Sequence, residues 1–420
     1  MSLDFDPHDL ITTRNYGVTG QPHDIWTQLR GESPVHYVET ESHPPFYAIT
    51  RHADIMEISN QPNVFSNREG PFLMDKEQTA LRMDSPENRP PMRTIIEMDP
   101  PEHREYRKVA SGFFTPRSIH RLDEIVADCA REMIDKLGDE GETDFVEAIS
   151  QRHPLRVLGT ILGIEPADEE LLLELTQQLF AADDPDLRRE AESRQAASAA
   201  LFADFGAMFM RVIGDRRENP RDDLASLLAN AKMENGEPMP PMELAGYFLI
   251  VFTAGHDTTR NAISGGIQAL LDNPDQLAYL CANPTDEVAK RAVEEVVRWT
   301  SPVNYMKRHL LEDVELHGKK LRAGEDLILY YGSANRDETV FENPFSFDIT
   351  RHPNRHLGFG TGEHFCLGAH VARLSQRALY LELAKRVEVL EPAGDPTHIE
   401  ASFVCGLKTM PVRYKIRPAA

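Results

Sequence analysis

A cysteine in a glycine-rich loop is the part of this chain whose chemistry can be argued most directly. Cys366 lies in the loop 358–368, and Gly358, Gly360 and Gly362 precede it. Glycines let a backbone turn tightly and lie close against a flat partner. The apolar spacing after the loop predicts a helix that begins just after Cys366, and the positive end of a helix favours a thiolate. A thiolate in such a loop is a metal ligand or a nucleophile.

Three other interpretations of this loop remain open. A lone cysteine is often an inert, small apolar residue. A dinucleotide-binding loop would need glycine at the sixth position from Gly360, where Phe365 stands. A hydrolase with His364 as the base is conceivable, but a histidine two residues away in a constrained loop need not reach the sulfur.

A second constellation lies in the apolar-rich stretch 242–271, which predicts a long helix. Gly255 weakens a helix by about 1 kcal/mol relative to alanine, and the Thr258 hydroxyl can bond a carbonyl one turn back. We therefore expect a local opening of the helix beside an acid, Asp257, and an alcohol, Thr258. A solvent-exposed Asp–Thr pair is the alternative.

A pair of opposite charges precedes the helix-ending Pro302. Glu295 and Arg298 are three residues apart and share a helix face. Taken alone, such a pair is usually exposed and contributes a few tenths of a kcal/mol.

A set of basic residues is suited to carboxylate binding. His103 and Arg107 are four residues apart on the helix predicted after Pro100 and Pro101. Arginine binds carboxylates through two hydrogen bonds at once. Ordinary surface bases in an acidic protein would look the same.

The loop order Phe-x-x-Gly-x-His-x-Cys-x-Gly, together with the Asp257–Thr258 helix, resembles the cytochrome P-450 family. The resemblance implies that the Cys366 thiolate is the axial iron ligand of haem b, iron protoporphyrin IX. It implies that Asp257 and Thr258 are catalytic and deliver protons. It also implies haem contacts through the propionate-binding and loop residues His103, Arg107, Arg308, His364, Phe359, Gly360, Gly368, Ala254 and Gly255.

The resemblance assigns two further sets of residues. Glu295, Arg298 and Arg351 match a buried structural triad, so we interpret them as stabilisers of the fold. The positions that match a substrate pocket are Phe72, Leu73, Met74, Phe248, Val251, Val303, Met306, Phe403 and Val404. Read as bare sequence, each of these is ordinary core.

The elements that must position these residues are mostly helices. We predict a mainly α fold with minor β structure, one large domain over 1–420, an early β-rich part at about 30–60, a helical part at about 100–300, and the Cys-ligand loop 358–368. No linker, repeat or low-complexity tract divides the chain. The predicted elements are a hairpin at 35–38 and 46–50, a helix at 52–60, a long central helix at 242–271, and strands at 327–331 and 412–416.

Two segments and two helix faces complete these expectations. The stretch 70–97, with Pro71, Pro86, Pro90 and Pro91, is predicted to be a structureless loop. Residues 183–186 interrupt two helices where the family has its mobile lid. The predicted apolar helix faces are Leu122, Ile125, Val126 and Cys129, and Leu171, Leu172, Leu175 and Leu179.

Composition limits the setting. The net charge of -23 argues against nucleic acid and anionic membranes as partners. The four cysteines are far apart, which disfavours a disulfide framework or a structural zinc. The first residues lack a secretion signal, and no run of about 18 apolar residues is present. We expect a cytoplasmic protein without a membrane anchor.

Finer motifs resemble the bacterial terpineol-hydroxylating branch, which implies a monooxygenase that hydroxylates a terpenoid. Thr259, Arg260 and Asn261 instead resemble the steroid and alkyl-chain hydroxylating branches. With no second cysteine cluster and no dinucleotide loop in the chain, we expect electrons from a ferredoxin and its NAD(P)H-dependent reductase. The expected docking residues for the ferredoxin on the Cys366 side are Lys108, Arg117, Arg373 and Arg377.

Three rival functions remain. A peroxide-driven haem-thiolate enzyme would use the same cysteine loop without needing the Asp257–Thr258 pair. A haem-based sensor or carrier would bind the cofactor without turnover. A haem-free thiol hydrolase would bind no haem.

Overall fold

Helices make up about 52% of the chain and strands about 13%, as the sequence predicts. The computed structural model describes residues 5–84 and 92–418. Residues 85–91 of the predicted loop 70–97, with Pro86, Pro90 and Pro91, lie outside the described residues.

The helices follow one another with short connections. In chain order they are α1 Thr13–Thr19, α2 His23–Glu32, α3 His52–Ser59, α4 Lys76–Asp84, α5 Glu102–Ser111, α6 Pro116–Ile119, α7 Asp123–Asp135, α8 Arg152–Leu162, α9 Glu169–Phe180, α10 Arg194–Glu218, α11 Leu224–Ala229, α12 Pro241–Asp272, α13 Pro274–Ala282, α14 Asp286–Thr300, α15 Tyr331–Ala334 and α16 Ala369–Arg386. A π-helical turn, Val146–Ser150, precedes α8.

The strands are short. In chain order they are β1 Val35–Val38, β2 Phe46–Ile49, β3 Phe65–Ser66, β4 Glu140–Asp144, β5 Tyr305–Leu310, β6 Val314–Leu316, β7 Lys319–Leu321, β8 Asp326–Tyr330, β9 Val387–Pro392, β10 Thr397–His398, β11 Leu407–Thr409 and β12 Pro411–Ile416.

The largest sheet combines strands from residues 35–66 with strands from residues 305–330. Its strand order is β1-β2-β8-β5-β3. The predicted hairpin is confirmed: β1 and β2 are antiparallel, with Val35 opposite Ile49. β8 joins β2 in parallel and brings β5, which carries Arg308, into the same sheet. A three-stranded sheet, a β10–β11 pair and a β6–β7 hairpin complete the β structure of the described residues.

The long helix α12 runs through the middle of the helical core. It contacts α8, α9, α10 and α14, and most of its residues are buried. A helix that is apolar on nearly all sides is one that other elements surround. The predicted span 242–271 is confirmed almost to the residue.

The expectation of a structureless stretch at 70–97 is wrong for residues 76–84, which form α4. Asp75 caps this helix: the Gln78 N–H donates to Asp75 Oδ1 at 2.7 Å, and the Asp75 N–H donates to Gln78 Oε1 at 3.1 Å. The prolines mark the edges of the stretch, but the residues between them are good helix formers with a reciprocal cap.

One residue of the predicted faces also points the wrong way. Leu171 is exposed, whereas Leu172 and Leu175 are buried. Consecutive residues of a helix lie about 100° apart, and the buried face of α9 is centred on Leu172, Leu173 and Leu175, which leaves Leu171 outside it. The face on α7 is confirmed, with Val126 and Cys129 buried.

By length and mean hydropathy, α10 is the one helix of the described residues that could span a bilayer. Core helices pass the same test. Its residues Phe205, Phe209 and Ile213 are buried against the rest of the protein.

Candidate active site

The cysteine loop is a succession of tight turns. The Gly360 N–H donates to the Leu357 carbonyl at 2.8 Å, and the Cys366 N–H donates to the Phe359 carbonyl at 2.9 Å. Gly360 and Gly362 have φ values of 67° and 72°, a region that favours glycine. Cys366 lies just before Ala369, the first residue of α16, as predicted.

The groups around the sulfur have opposing effects on the pKa of the Cys366 thiol. Burial raises the pKa of the Cys366 thiol, while the Gly368 amide, Arg107 and Arg373 favour the thiolate and oppose that rise. A metal cation bound to a cysteine sulfur removes the proton outright. The site therefore supports a thiolate when a cation coordinates the sulfur.

Beside the loop, four basic side chains form a cluster that lacks anionic partners for its buried nitrogens. The rings of His103 and His364 lie 4.1 Å apart between centroids. Within the described part of the chain, both ring nitrogens of His103 and Nε2 of His364 are buried without a hydrogen-bond partner. Arg308 is buried and donates to the Lys307 carbonyl, and Arg107 donates to the Phe365 carbonyl at 2.6 Å.

The cluster repels further positive charge. Burial, followed by the charge of Arg107, lowers the pKa of His103 to about 4. Burial and the neighbouring His103, Arg308 and Arg107 lower the pKa of His364 to about 2. Buried donors without partners destabilise a protein, and a bound anion supplies the missing acceptors.

These residues fit haem b. Its iron calls for a thiolate such as Cys366, and its two propionates call for the donors of the four bases. The backbone also leaves room: no atom lies within 4 Å of the place where a side chain would start at Gly368. His364 belongs to the Cys loop itself, whereas His103 and Arg107 lie on α5 and Arg308 on β5, and the fold brings all four bases together.

Across α12, the predicted acid and alcohol occupy neighbouring positions with different partners. The Thr258 hydroxyl donates to the Ala254 carbonyl at 2.7 Å, the backward bond that the sequence predicts. The helix is nevertheless unbroken from Pro241 to Asp272, so the expected local opening is not present. A Cβ on Gly255 would lie 3.1 Å from the Leu158 methyls, so this glycine lets α8 pack closely against α12.

The Asp257 carboxylate is fully engaged. Its Oδ1 accepts from Arg260 Nη1 at 2.9 Å and its Oδ2 accepts from Asn261 Nδ2 at 3.1 Å. All three residues are buried. From the sequence alone, Arg260 and Asn261 indicated only a resemblance to the steroid and alkyl-chain hydroxylating branches. Their spacing of three and four residues from Asp257 is a signal that could have identified them as its partners.

The predicted structural triad is assembled. Arg298 binds Glu295 through two hydrogen bonds of 2.7 Å, and Arg351 Nε lies 3.1 Å from the same carboxylate. Glu295 and Arg298 are both 0% exposed. The carboxylate also accepts the Asp348 N–H and the Asn354 amide, so it links α14 to the segment before the cysteine loop.

The predicted pocket residues fall into separate groups. Phe72 packs edge-on against Phe403 at 4.6 Å, and Phe403 against Tyr305 at 5.3 Å. The Leu73 N–H donates to the Tyr305 hydroxyl. Val303 pairs with Val404, and Val251, Met306 and Met74 are half-buried.

Phe248 lies elsewhere, fully buried on Phe209 in the helical core. Val404 lines a small pocket together with Asp257 and Arg260.

Ion pairs hold three of the four residues expected to form a basic patch. Arg373 binds Glu294 at 2.6 and 2.9 Å, Arg377 lies 3.2 Å from Asp286, and Lys108 lies 3.3 Å from Glu234. Among the described residues, Arg117 has no ion-pair partner. The patch therefore carries less free positive charge than its composition indicates.

Sequence reasoning missed a second charged group near the cysteine. Glu294 accepts from Arg373 and from His356, and the Arg373 guanidinium lies 4.3 Å from the Phe359 ring centroid. Burial alone would raise the pKa of Glu294, but His356 and Arg373 outweigh it and lower that pKa to about 2. The partners are more than 60 positions apart in sequence, so no local spacing indicates them.

Comparisons with known proteins agree with this geometry. Residues 287–417 match the family described as Cytochrome P450. The chain is 39% identical to Cytochrome P450-terp from a Pseudomonas species, over 92% of each chain. It is 35% identical to a methyl-branched lipid omega-hydroxylase from Mycobacterium tuberculosis, over 92% of this chain and 89% of the other.

A solved structure has the same fold. The crystal structure of CYP108D1 from Novosphingobium aromaticivorans superposes with a TM-score of 0.88 at 35% identity and covers 98% of both chains. The prediction of a single-domain, mainly helical fold is thereby confirmed.

Proposed function

The chain belongs to the cytochrome P450 family and is related to its bacterial terpineol branch, and from that premise we propose that it hydroxylates a terpenoid with electrons from a ferredoxin. That it is a haem monooxygenase follows from its family. The observation that supports the haem site best is the cluster of buried, unpartnered nitrogens on His103 and His364 beside the cysteine loop.

When bound, haem supplies the activation of dioxygen, of which one atom enters a C–H bond of the substrate and the other leaves as water. Cys366 would hold the iron as a thiolate. His103, Arg107, Arg308 and His364 would hold the propionates through charge-assisted hydrogen bonds.

The remaining task of the protein is to supply two protons to a site from which bulk water is excluded. We assign this task to Asp257 and Thr258. To donate to a water, the Thr258 hydroxyl must leave the Ala254 carbonyl, and to pass on a proton the Asp257 carboxylate must leave Arg260 or Asn261. The two residues are consecutive on α12, so their side chains point in different directions and bound water would carry the proton between them.

The two electrons come from outside the chain. We propose a small acidic ferredoxin, reduced by an NAD(P)H-dependent reductase, as the donor, and a cytoplasmic location for the system. The ferredoxin would dock on the face where α6 packs on α16, because α16 follows the cysteine loop directly.

The similarity of the chain to its relatives indicates the substrate class. The relation to the terpineol branch and the 39% identity to Cytochrome P450-terp favour a terpenoid. The aromatic group Phe72, Phe403 and Tyr305 supplies apolar surface suited to a hydrocarbon. A second candidate is a steroid or alkyl-chain substrate, which the Thr259–Asn261 motif and the 35% identity to a lipid hydroxylase favour.

Spectral titration and turnover test this function together. Ferric protein is titrated with terpenes, steroids and alkanes, and we expect a terpenoid to give the largest low-to-high-spin shift. The same compound should give a hydroxylated product with a ferredoxin, its reductase and NAD(P)H. A haem protein that shifts its spin state but forms no product with any electron donor would be a sensor or carrier.

The cysteine ligand has its own test. The reduced carbon monoxide complex of the wild type should show the strongly red-shifted Soret band of a thiolate ligand, and Cys366→His should lose both the band and the activity. Cys405→Ser is the control, because Cys405 donates to the Ala401 carbonyl and lies in another loop. A Cys366→His variant that keeps the band would place the iron on another residue.

A further inference from the structure

Both hydrogen-bond partners described for the Asp257 carboxylate come from the next turn of its own helix. Arg260 Nη1 donates to Oδ1, and Asn261 Nδ2 donates to Oδ2. Arg260 Nη1 also lies 3.2 Å from the Asn261 amide oxygen, so the three side chains form a closed ring. We call Asp257, Arg260 and Asn261 the carboxylate ring.

The ring is anchored on its far side by β11 and the residue before it. Arg260 Nη2 donates to the Leu407 carbonyl at 3.1 Å. Gly406 lies so close to Asn261 that a Cβ at position 406 would overlap its side chain. The guanidinium is therefore bonded and the amide closely packed from outside the helix, whereas the side-chain hydrogen bonds found for Asp257 among the described residues come from these two groups alone.

This asymmetry has a chemical consequence. A carboxylate that passes protons must lie within hydrogen-bond reach of the group it serves, so the partners that hold it at rest decide the position from which it starts. Because Leu407 and Gly406 fix Arg260 and Asn261, these two partners stay in place when the carboxylate turns away.

We propose that Arg260, with Asn261, is a positioning residue for the proton-delivering acid: it holds the resting Asp257 carboxylate from within α12 and sets the geometry from which protons are delivered. The inference rests on the proposed function, since it assigns a task to Arg260 only if Asp257 delivers protons. It adds a residue that acts on the reaction through the acid.

A purely structural role is the rival explanation. A buried ion pair that loses one partner leaves an uncompensated charge and destabilises the fold. Such a loss would lower stability and haem content whether or not Asp257 takes part in the reaction. The two explanations differ in whether the effect on turnover passes through Asp257.

A double-mutant cycle separates them. The variants are Arg260→Gln, Arg260→Lys, Asp257→Asn and the double variant Asp257→Asn/Arg260→Gln, all assayed as haem-loaded protein with a ferredoxin, its reductase and a substrate that gives a spin shift. Readouts are kcat for product, KM, the fraction of NAD(P)H that ends as product, and the substrate-binding spin shift.

We expect Arg260→Gln to lower kcat and coupled product about 10-fold to 100-fold, as misplacement of a reacting group does, while KM and the spin shift stay as in the wild type. Arg260→Lys keeps a charge beside Asp257 and should recover most of the loss. In the Asp257→Asn background, Arg260→Gln should have no further effect on kcat.

Arg216→Gln is the matched control. Arg216 is also buried and also binds a carboxylate, Asp223, at 2.8 Å, but it lies on α10 and contacts the Gly163 carbonyl. This variant should lose stability without a change in kcat of the haem-loaded fraction. If Arg260→Gln yields no haem-loaded protein, Asn261→Ala carries the test, with a smaller loss that again disappears in Asp257→Asn.

Several results would overturn the inference. Losses from Arg260→Gln and Asp257→Asn that multiply in the double variant would mean that Arg260 acts independently of Asp257. An unchanged kcat in Arg260→Gln, or a loss that Arg260→Lys does not relieve, would leave the ring as packing. Normal turnover in Asp257→Asn alone would instead contradict the proposed proton delivery.

Discussion

The Thr258 hydroxyl has a choice between two acceptors. In this structure it donates to the Ala254 carbonyl, a bond that satisfies it without help from outside the helix. Such backward bonds are weak restraints, so the hydroxyl can exchange the carbonyl for a nearby water at little cost. Its side chain is half-buried, whereas Asp257 beside it is fully buried.

This contrast leads to a prediction on coupling. Thr258→Ala should bind substrate and accept electrons almost normally, yet divert oxygen to peroxide or water, because the hydroxyl that holds the water is gone. Asp257→Asn should instead slow the whole cycle about 100-fold or more. The measurement is product formed per NAD(P)H consumed, with peroxide assayed in parallel.

Thr253→Ala supplies the control for Thr258→Ala. The Thr253 hydroxyl makes the same kind of bond, to the Leu249 carbonyl at 2.7 Å, earlier on the same helix. Loss of that bond should leave the coupling unchanged. Equal coupling in the two alanine variants and the wild type would show that the Thr258 bond serves helix packing alone.

At the scale of elements, one carboxylate joins α14 to the irregular segment that precedes the cysteine loop. Glu295 accepts from two arginines, a backbone amide and an asparagine, and water does not reach it. Arg298 in turn donates to the carbonyls of Asn335, Pro344 and Ser346. The segment that leads to the haem ligand is thus held by charge where it lacks regular hydrogen bonding.

Glu295→Ala should therefore destabilise the fold by about 3 to 5 kcal/mol, because it leaves the buried Arg298 charge without compensation. The variant should also fail to retain haem, which unfolding in urea and the haem content of the purified protein would show. Glu287→Ala is its matched control, because Glu287 forms an exposed pair with Arg291 on the same helix and should change stability by less than about 0.5 kcal/mol. Full haem content in Glu295→Ala would contradict the structural role.

Elements with regular spacing could be predicted from sequence, and those that depend on distant contacts could not. The long apolar period of α12 and the alternation of β1 and β2 identify these elements by themselves. The helix α4 could not be predicted from the surrounding prolines, which indicate a loop, because the helix depends on the cap at Asp75.

The residues of the candidate site also divide into those that local sequence identifies and those that depend on distant contacts. The resemblance to family motifs identified Cys366, Asp257 and the triad as candidates, because each lies in a motif that can be read in order along the chain. The Glu294–His356–Arg373 group could not be found, since only the folded chain brings its members together.

The whole molecule is strongly acidic, with a net charge of -23. Most of its basic side chains pair with carboxylates of the same chain. Around α16, Arg373 and Arg377 are both paired with acids of α14. An acidic partner that approaches this face meets little free positive charge. Within the described chain, Arg117 on α6 is the expected docking residue for which no ion pair is found.

We therefore expect Arg117→Glu to weaken ferredoxin docking more than a change at Arg373 or Arg377, which would first have to release an acid of their own. The apparent KM for ferredoxin should rise about 10-fold at low salt and approach the wild-type value at high salt, since such attraction is screened. Steady-state kinetics at several ionic strengths would measure this effect.

Lys320→Glu makes the same change of charge on the exposed β6–β7 hairpin and should leave the KM for ferredoxin unchanged. Equal effects of the two variants would show that only net charge matters. No effect of Arg117→Glu would move the docking face elsewhere.

The carboxylate ring belongs to a single stretch of sequence, and this has a practical meaning for protein engineering. Its three side chains lie within five consecutive positions, and the hydrogen bond described from the ring to a residue outside α12 runs from Arg260 to the Leu407 carbonyl, next to Gly406. The three residues can therefore be transferred together as one short segment. Transplanted into a related enzyme, residues 257–261 would require a glycine opposite position 261, and a relative with a larger residue there should reject the graft whatever its substrate.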